Sequence, residues 1–298
     1  MARKKVKCNL CGGKKHEKIA KKDKNTKIVE CKNCGLIFVD PMPSDQYINK
    51  IYQKKYYSPA DKPYPEISNH LKQRPFLESY FKKEIARIKK IKKKGKILDI
   101  GCGPGFFLNI AKSAGFKVFG SDISKFAAKY AKEKFKLDVF GGELNQAKFL
   151  TNFFDVITIY QTIEHVKNPL KFLKEVSRIL KKDGLLILTT PNQDNFIARI
   201  LVEKWFGYYY LSHLYFFNPK SVKKILKKAG FKKVKLTSNS FSCLSIAESL
   251  ERFYHFYPSS ISNFFADLIK PMGKLVNLRI IPLTITGKSM RVEGFKNI

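Results

Sequence analysis

From Gly95 onward, short apolar runs alternate with stretches in which apolar residues recur every three or four positions. The runs Lys96 to Ile100, Lys117 to Ser121, Leu137 to Phe140, Asp155 to Tyr160 and Leu185 to Thr190 predict strands. Between them, Phe106 to Ala114, Ser124 to Phe135 and Pro169 to Leu180 predict helices. A further helix is expected from Pro219 to Ala229, closed by Gly230, with two more strands over Lys232 to Leu236 and Ile285 to Val292. Ahead of this series, Phe81, Ile85, Ile88 and Ile91 mark an amphipathic helix among lysines. Strands alternating with helices predict the α/β class: seven strands in a mostly parallel sheet, helices on both faces, and ligands at the carboxyl ends of the strands.

The front of the chain follows a different pattern. Residues 1–40 are polar, with Ile28 to Glu30 and Leu36 to Val39 as the only plausible strands, and are too short to bury a core unaided. They carry Cys8-x-x-Cys11 and Cys31-x-x-Cys34, the paired knuckles of a four-thiolate zinc ribbon, each followed by a glycine that permits a tight turn. Four thiolates leave no open coordination position, so the metal is expected to be structural; iron suits the same cage. His16 is expected to be a solvated loop residue. Residues 41–78 are broken by prolines and rich in tyrosine, a connector packed across the domain. A ligand-binding domain is expected over 79–240. A helical insertion and a last strand over 241–298 would complete it.

Composition narrows the function only slightly. No apolar run nears the roughly 18 residues of a membrane span, and the basic start lacks an apolar stretch behind it, so a cytoplasmic protein is expected. The net charge of +34 invites a polyanion partner. Its make-up of eight arginines and 50 lysines spread over every segment favours a lysine-biased composition instead, because arginine is the better phosphate and base reader.

The most informative stretch is Ile97-Leu98-Asp99-Ile100-Gly101-Cys102-Gly103-Pro104-Gly105: a strand running into a turn with glycine at every second position, open to close approach by a ligand. Phe106 stands where a dinucleotide site prefers a small residue, and Asp99 suits a ligand bearing an ammonium rather than a pyrophosphate. Asp122, at the tip of the next strand, can accept hydrogen bonds from both hydroxyls of a ribose; it and Ser124 can equally cap the following helix.

The series LDIGCGPG, FGSDIS, FDVITIYQTIEHVKNP and LLILTTPN resembles the motifs of class I S-adenosylmethionine-dependent methyltransferases, over roughly residues 80–235. That resemblance implies a Rossmann-like fold with Asp99, Gly101, Cys102, Gly103 and Gly105 against the methionine end of the cofactor. It further implies Asp122 on the ribose, Ile123 on the adenine, Glu143 and Leu144 on the adenine's other side, and Tyr160 and Gln161 bordering the sulfonium. The ribbon, with Asp40 to Pro43 and Tyr56-Tyr57 after it, is similar to the front of ribbon-bearing methyltransferases of sugar and glycan biosynthesis.

Methyl transfer asks for an in-line nucleophile and a dry pocket, and a general base helps a hydroxyl acceptor. Glu164 and His165 are the candidates, with His165 expected to titrate near neutrality, against the reading that they only organise their loop. His213 is a second, more structural candidate; Cys102 and Cys243 are read as non-catalytic. Three readings compete: a small-molecule or glycan-precursor methyltransferase, an RNA methyltransferase acting on ribose or a guanine nitrogen, and a binding module without activity. The intact glycine turn and both acids disfavour the last. Phe253 to Ile269, with Lys270 and Lys274, is either a cap over the site or a peripheral contact with anionic lipid carrying a lipid-linked acceptor.

Overall fold

The computed structural model describes residues 6–22, 25–51, 74–194, 198, 208, 212–239 and 289–296. The seven-stranded sheet is assembled from β4 (Lys96–Ile100), β5 (Lys117–Asp122), β6 (Val139–Gly141), β7 (Phe154–Tyr160), β8 (Leu180–Pro191), β10 (Lys233–Asn239) and β11 (Ser289–Phe295), in the order β10-β11-β8-β7-β4-β5-β6. β4 pairs in parallel with β5 on one side and β7 on the other, while β11 runs antiparallel to β8 and β10. The chain order therefore reverses at β4, and a crevice opens beyond its carboxyl end.

Alternate residues of the central strands face opposite layers. Leu98, Ile100, Ile157, Ile159, Leu186 and Leu188 pack with α5 (Pro169–Ile179) and α6 (Pro219–Lys228). Ile97, Val156, Leu185 and Ile187 pack with α2 (Arg74–Lys89), α3 (Phe106–Ser113) and α4 (Lys125–Phe135). β7 is buried at every position but Asp155, and accordingly five of its seven residues are apolar or aromatic. The helices start where local chemistry directs. Asn168 and Asn218 cap α5 and α6, each with proline in the first turn, and Ser124 Oγ accepts from the Ala127 amide at the start of α4.

A second sheet holds β1 (His16–Lys21), β2 (Lys27–Cys31) and β3 (Ile37–Asp40), all antiparallel, with β9 (Tyr215–Phe216) as its fourth strand. β9 comes from the far end of the large domain, and Cys8, Leu10, Val29, Leu36 and Phe38 share one core with Leu98, Val222 and Ile225. Hydrogen bonds from Asn9 Nδ2 to Asn168 Oδ1 (2.9 Å) and from Lys228 Nζ to the Leu10 carbonyl (2.7 Å) fasten the same seam.

Several boundaries differ from the sequence expectation. β8 begins at Leu180, directly after α5, because Leu180 pairs with Phe154 at the foot of β7. The last strand is Ser289–Phe295, and β10 runs three residues past Leu236, each held by pairing to the other. The segment expected as connector contains α1 (Asp45–Ile51) and the start of α2. β1 and β9 were not expected: His16-Glu17-Lys18 has no apolar alternation and β9 is two residues long, so both exist through their partners. His16 lies in β1, half-buried, its ring edge-on to Phe38 and its Nε2 donating to the Gly13 carbonyl (3.0 Å). The helical insertion expected within 241–298, with the aromatic run Phe253 to Ile269, lies outside the described residues. Among the described residues, no helix is long and apolar enough to cross a membrane.

One buried ion pair ties β11 to α2. Arg291 Nε donates to Glu84 Oε2 at 2.8 Å, both side chains at most 5% exposed; Arg87 also donates to Glu84, and Arg291 Nη1 to Glu293. Glu84→Ala strands most of a buried guanidinium and is expected to cost about 3 kcal/mol in urea unfolding. A loss under about 1 kcal/mol would show that Glu293 alone suffices to hold Arg291.

Candidate functional site

The turn after β4 is shaped by three glycines, all with left-handed backbone. At Gly101 a Cβ would stand 2.3 Å from Thr162 Oγ1, and at Gly105 2.7 Å from Leu137 Cδ1, so close packing demands glycine at both. Gly103 differs: a Cβ there meets nothing within 4 Å. Its backbone faces open space, the point at which a ligand can approach the turn.

Asp122 reaches this turn from the end of β5. Its Oδ2 accepts from the Gly103 amide and its Oδ1 from the Ser124 amide, each at 2.8 Å. Helix capping and contact with the glycine turn are thus one arrangement, and each oxygen keeps a further lone-pair site. Burial raises Asp122 to about 6, against both amides. Asp99 is buried deeper, raised to about 8 by burial, with the Thr158 hydroxyl (2.7 Å) opposing and the Asp122 charge adding. Thr158 lies opposite Asp99 in the β4–β7 register.

Around this centre, Ile123 is 37% exposed beside Asp122, while Leu144 is buried at the start of the 3₁₀ turn Leu144–Ala147. Glu143 is exposed, its amide donating to Gln146 Oε1 at 3.0 Å. Cys102 is buried behind the turn. Tyr160 packs its ring on Tyr80, Phe81 and Phe107 on the α2–α3 side. Gln161 has φ of 47°, a left-handed conformation, and its Nε2 donates to Thr189 and Ser289 hydroxyls at 3.2 and 3.4 Å. Strained backbone of this kind at a strand's carboxyl end concentrates where ligands bind.

Beyond β7, the turn Ile163–His165 carries Glu164 and His165. Glu164 is 1% exposed; its Oε2 accepts from the Thr190 hydroxyl at 3.0 Å, and burial raises it to about 8. His165 Nδ1 donates to the Ser212 carbonyl at 2.8 Å. Burial pulls His165 down to about 4, against that hydrogen bond, so it does not titrate near neutrality as the sequence suggested. The His213 ring lies 4.9 Å from that of His165. Sequence reasoning passed over Thr158, Thr162, Thr190 and Ser212, which orient these groups. Only cross-strand register and the return of residues 212–217 bring them in.

The four ribbon cysteines converge. Sγ atoms of Cys8 and Cys34, and of Cys11 and Cys31, are each 3.5 Å apart, and all four lie within 4.8 Å of one another. A tetrahedral thiolate cage around zinc separates sulfurs by about 3.8 Å, so donor set and spacing fit such an ion. The knuckles close through amides of Gly12 to Cys8 O and Gly35 to Cys31 O, both 2.8 Å.

The profile of the family described as "Methyltransferase domain" matches residues 72–236, more than half of the chain. The chain belongs to that family and is an S-adenosylmethionine-dependent methyltransferase. It is similar to an uncharacterized protein of Methanocaldococcus jannaschii, 33% identical over 175 residues that cover 58% of this chain and 82% of that one. It is also similar to the ubiquinone biosynthesis O-methyltransferases of Pelagibacter ubique (30% identical; 57% and 78% covered) and Schizosaccharomyces pombe (35%; 36% and 41%). The chain thus spans less than half the length of the yeast protein. Among solved structures it shares its fold with a methyltransferase of Thermotoga maritima (TM-score 0.51, 19% identity, 77% of this chain and 96% of that one). Phosphoethanolamine N-methyltransferase 2 of Haemonchus contortus with S-adenosyl-L-methionine is a second such structure (TM-score 0.53, 16% identity, 88% and 62%).

Gly101→Ala is expected to destabilise by about 1–3 kcal/mol more than Gly103→Ala in parallel urea unfolding, since both carry the left-handed cost and only the first drives a Cβ into Thr162. Equal losses would mean that Thr162 yields and does not close the turn.

Proposed function

We propose that the crevice beyond β4 holds S-adenosylmethionine and that the acceptor is a small molecule or glycan precursor, methylated by direct in-line transfer. One observation carries the cofactor half: the open backbone of Gly103, bonded to a carboxylate with acceptor capacity to spare. Asp122 would take the ribose hydroxyls, Ile123 and Leu144 the adenine with Glu143 at its rim, and Asp99 with Gly101 to Gly105 the methionine end. Tyr160 and Gln161 would border the sulfonium, which supplies the methyl group when bound. Glu164 and His165 stand on the acceptor side, beside the ends of β7 and β8. The names of the Pelagibacter and yeast relatives support a small oxygen-bearing acceptor. The four cysteines would hold a structural zinc, in a cytosolic setting where thiols stay reduced.

Calorimetry with S-adenosylmethionine is expected to give clear binding in the wild type and at least about tenfold weaker binding in Asp122→Ala. Affinity should also fall on acidification. Asp122 is wanted charged and titrates near 6 in the free protein, so between pH 7.5 and 5.5 it alone accounts for about a fourfold loss. Unchanged affinity in both comparisons would remove the ribose assignment. An acceptor screen of hydroxylated small molecules, nucleotide sugars and RNA then separates the substrate readings, with turnover of RNA alone overturning ours.

Metal analysis should find one zinc in the ribbon, absent from the Cys8→Ser/Cys31→Ser variant. Its loss should lower the midpoint of thermal unfolding by several degrees, since the ribbon shares a core with the large domain. A metal-free wild type of equal stability would contradict the assignment.

A further inference from the structure

Gln193 follows β8 closely, at the carboxyl end of the sheet. It is 9% exposed, and its Oε1 is a buried acceptor with no hydrogen-bond partner among the described residues. We infer that this oxygen is a specificity contact for the methyl acceptor, taking a hydrogen bond from a hydroxyl other than the one methylated, so that the acceptor is a neutral polyol. The inference rests on the reading that the acceptor lies beyond the ends of β7 and β8.

The oxygen is held in place rather than left to swing. The Gln193 amide donates to the Phe217 carbonyl at 2.8 Å, and Nε2 donates to the Tyr208 hydroxyl at 2.5 Å. Beside it, Asn192 Oδ1 accepts from the Asp194 amide at 2.9 Å, an Asx turn that fixes the backbone of the loop. Tyr208 is set from the ribbon side. Its ring lies edge-on to Phe216, 5.0 Å away, in a core with Ile28, Ile37 and Val39, and its carbonyl accepts from Lys22. The carboxamide therefore cannot turn Oε1 outward without breaking the Tyr208 bond. A buried acceptor left in this way is costly, and a ligand that brings a donor recovers the loss.

The surroundings decide which donor suits. Thr190, near the end of β8, donates to Glu164, so the same strand end carries both the acceptor-side carboxyl and the carboxamide. The two are tied to one segment at different points: the Leu214 amide donates to the Glu164 carbonyl and the Gln193 amide to the Phe217 carbonyl, each at 2.8 Å. Leu214 and Phe217 flank β9, so these anchor points stand about 10 Å apart along extended chain. A hydroxyl placed beside Glu164 for methylation leaves Gln193 to a second one. A cationic donor is disfavoured. The Lys22 ammonium lies at this junction, donating to the carbonyls of Tyr208 and His213 at 3.1 Å each, and its charge adds to burial in lowering both His165 and His213. Neutral hydroxyls meet no such repulsion.

The test is ligand-observed NMR on the full chain saturated with S-adenosylhomocysteine, using one ring in three forms as probe: myo-inositol, cyclohexanol and cyclohexylamine. The expected result is saturable binding of myo-inositol, at least about fivefold tighter than that of cyclohexanol, and no binding of cyclohexylamine. Gln193→Met keeps the side-chain length and removes the oxygen. It should weaken myo-inositol about three- to tenfold, while S-adenosylhomocysteine calorimetry on the same protein stays at the wild-type value and so excludes misfolding. A wild type that prefers cyclohexylamine, that treats myo-inositol and cyclohexanol alike, or that binds none of the three overturns the polyol class. Equal binding of myo-inositol by the variant shows that the oxygen serves only an internal water; it overturns the contact and leaves a small hydroxylated acceptor standing. Turnover of RNA alone, in the acceptor screen, instead overturns the reading on which the inference rests.

Discussion

Asp122 takes an amide on each carboxylate oxygen, one from the glycine turn after β4 and one from the start of α4, and so locks two βα units of the sheet together at the point where strand order reverses. The carboxylate itself is buried, and without these two amides it would be costly. The position of the turn, the exposure of Ile123 and the direction of the Gly103 backbone all follow from this bridge. The depth that makes the bridge strong also raises Asp122 to about 6 and, further in, Asp99 to about 8, so it is Asp99 that calls for a cationic partner to hold it charged at neutral pH.

The ribbon has a second role besides closing on a metal. β3 pairs with β9, Val39 donates to the Leu214 carbonyl, and Leu214 donates to the carbonyl of Glu164. Residues 212–217 are held between the ribbon and the turn after β7, and with them come the Ser212 carbonyl and the His213 ring. A small cysteine module that shares its core with the large domain thereby positions the segment that packs on the Glu164–His165 turn.

Much of this was legible in the sequence because it is local. Apolar runs mark the strands, Pro169, Pro219 and Ser124 the helix starts, and the glycine spacing the turn. β7, buried at all but one position, reads as a parallel strand. What stayed hidden depends on partners distant in sequence: β1 and β9 exist by pairing, Thr158 meets Asp99 only through the β4–β7 register, and Thr162 fills the space over Gly101 from a different loop. The titration expected of His165 failed for the same reason, since burial under the 212–217 segment has no signature in the residues beside it.

Hydrogen–deuterium exchange with and without S-adenosylhomocysteine tests the bridge most directly. The account predicts that ligand slows exchange together in 101–105 and 121–124, the two stretches joined by Asp122, while the β1–β2 hairpin is unchanged. Protection that appears in one stretch without the other, or in neither, would contradict it.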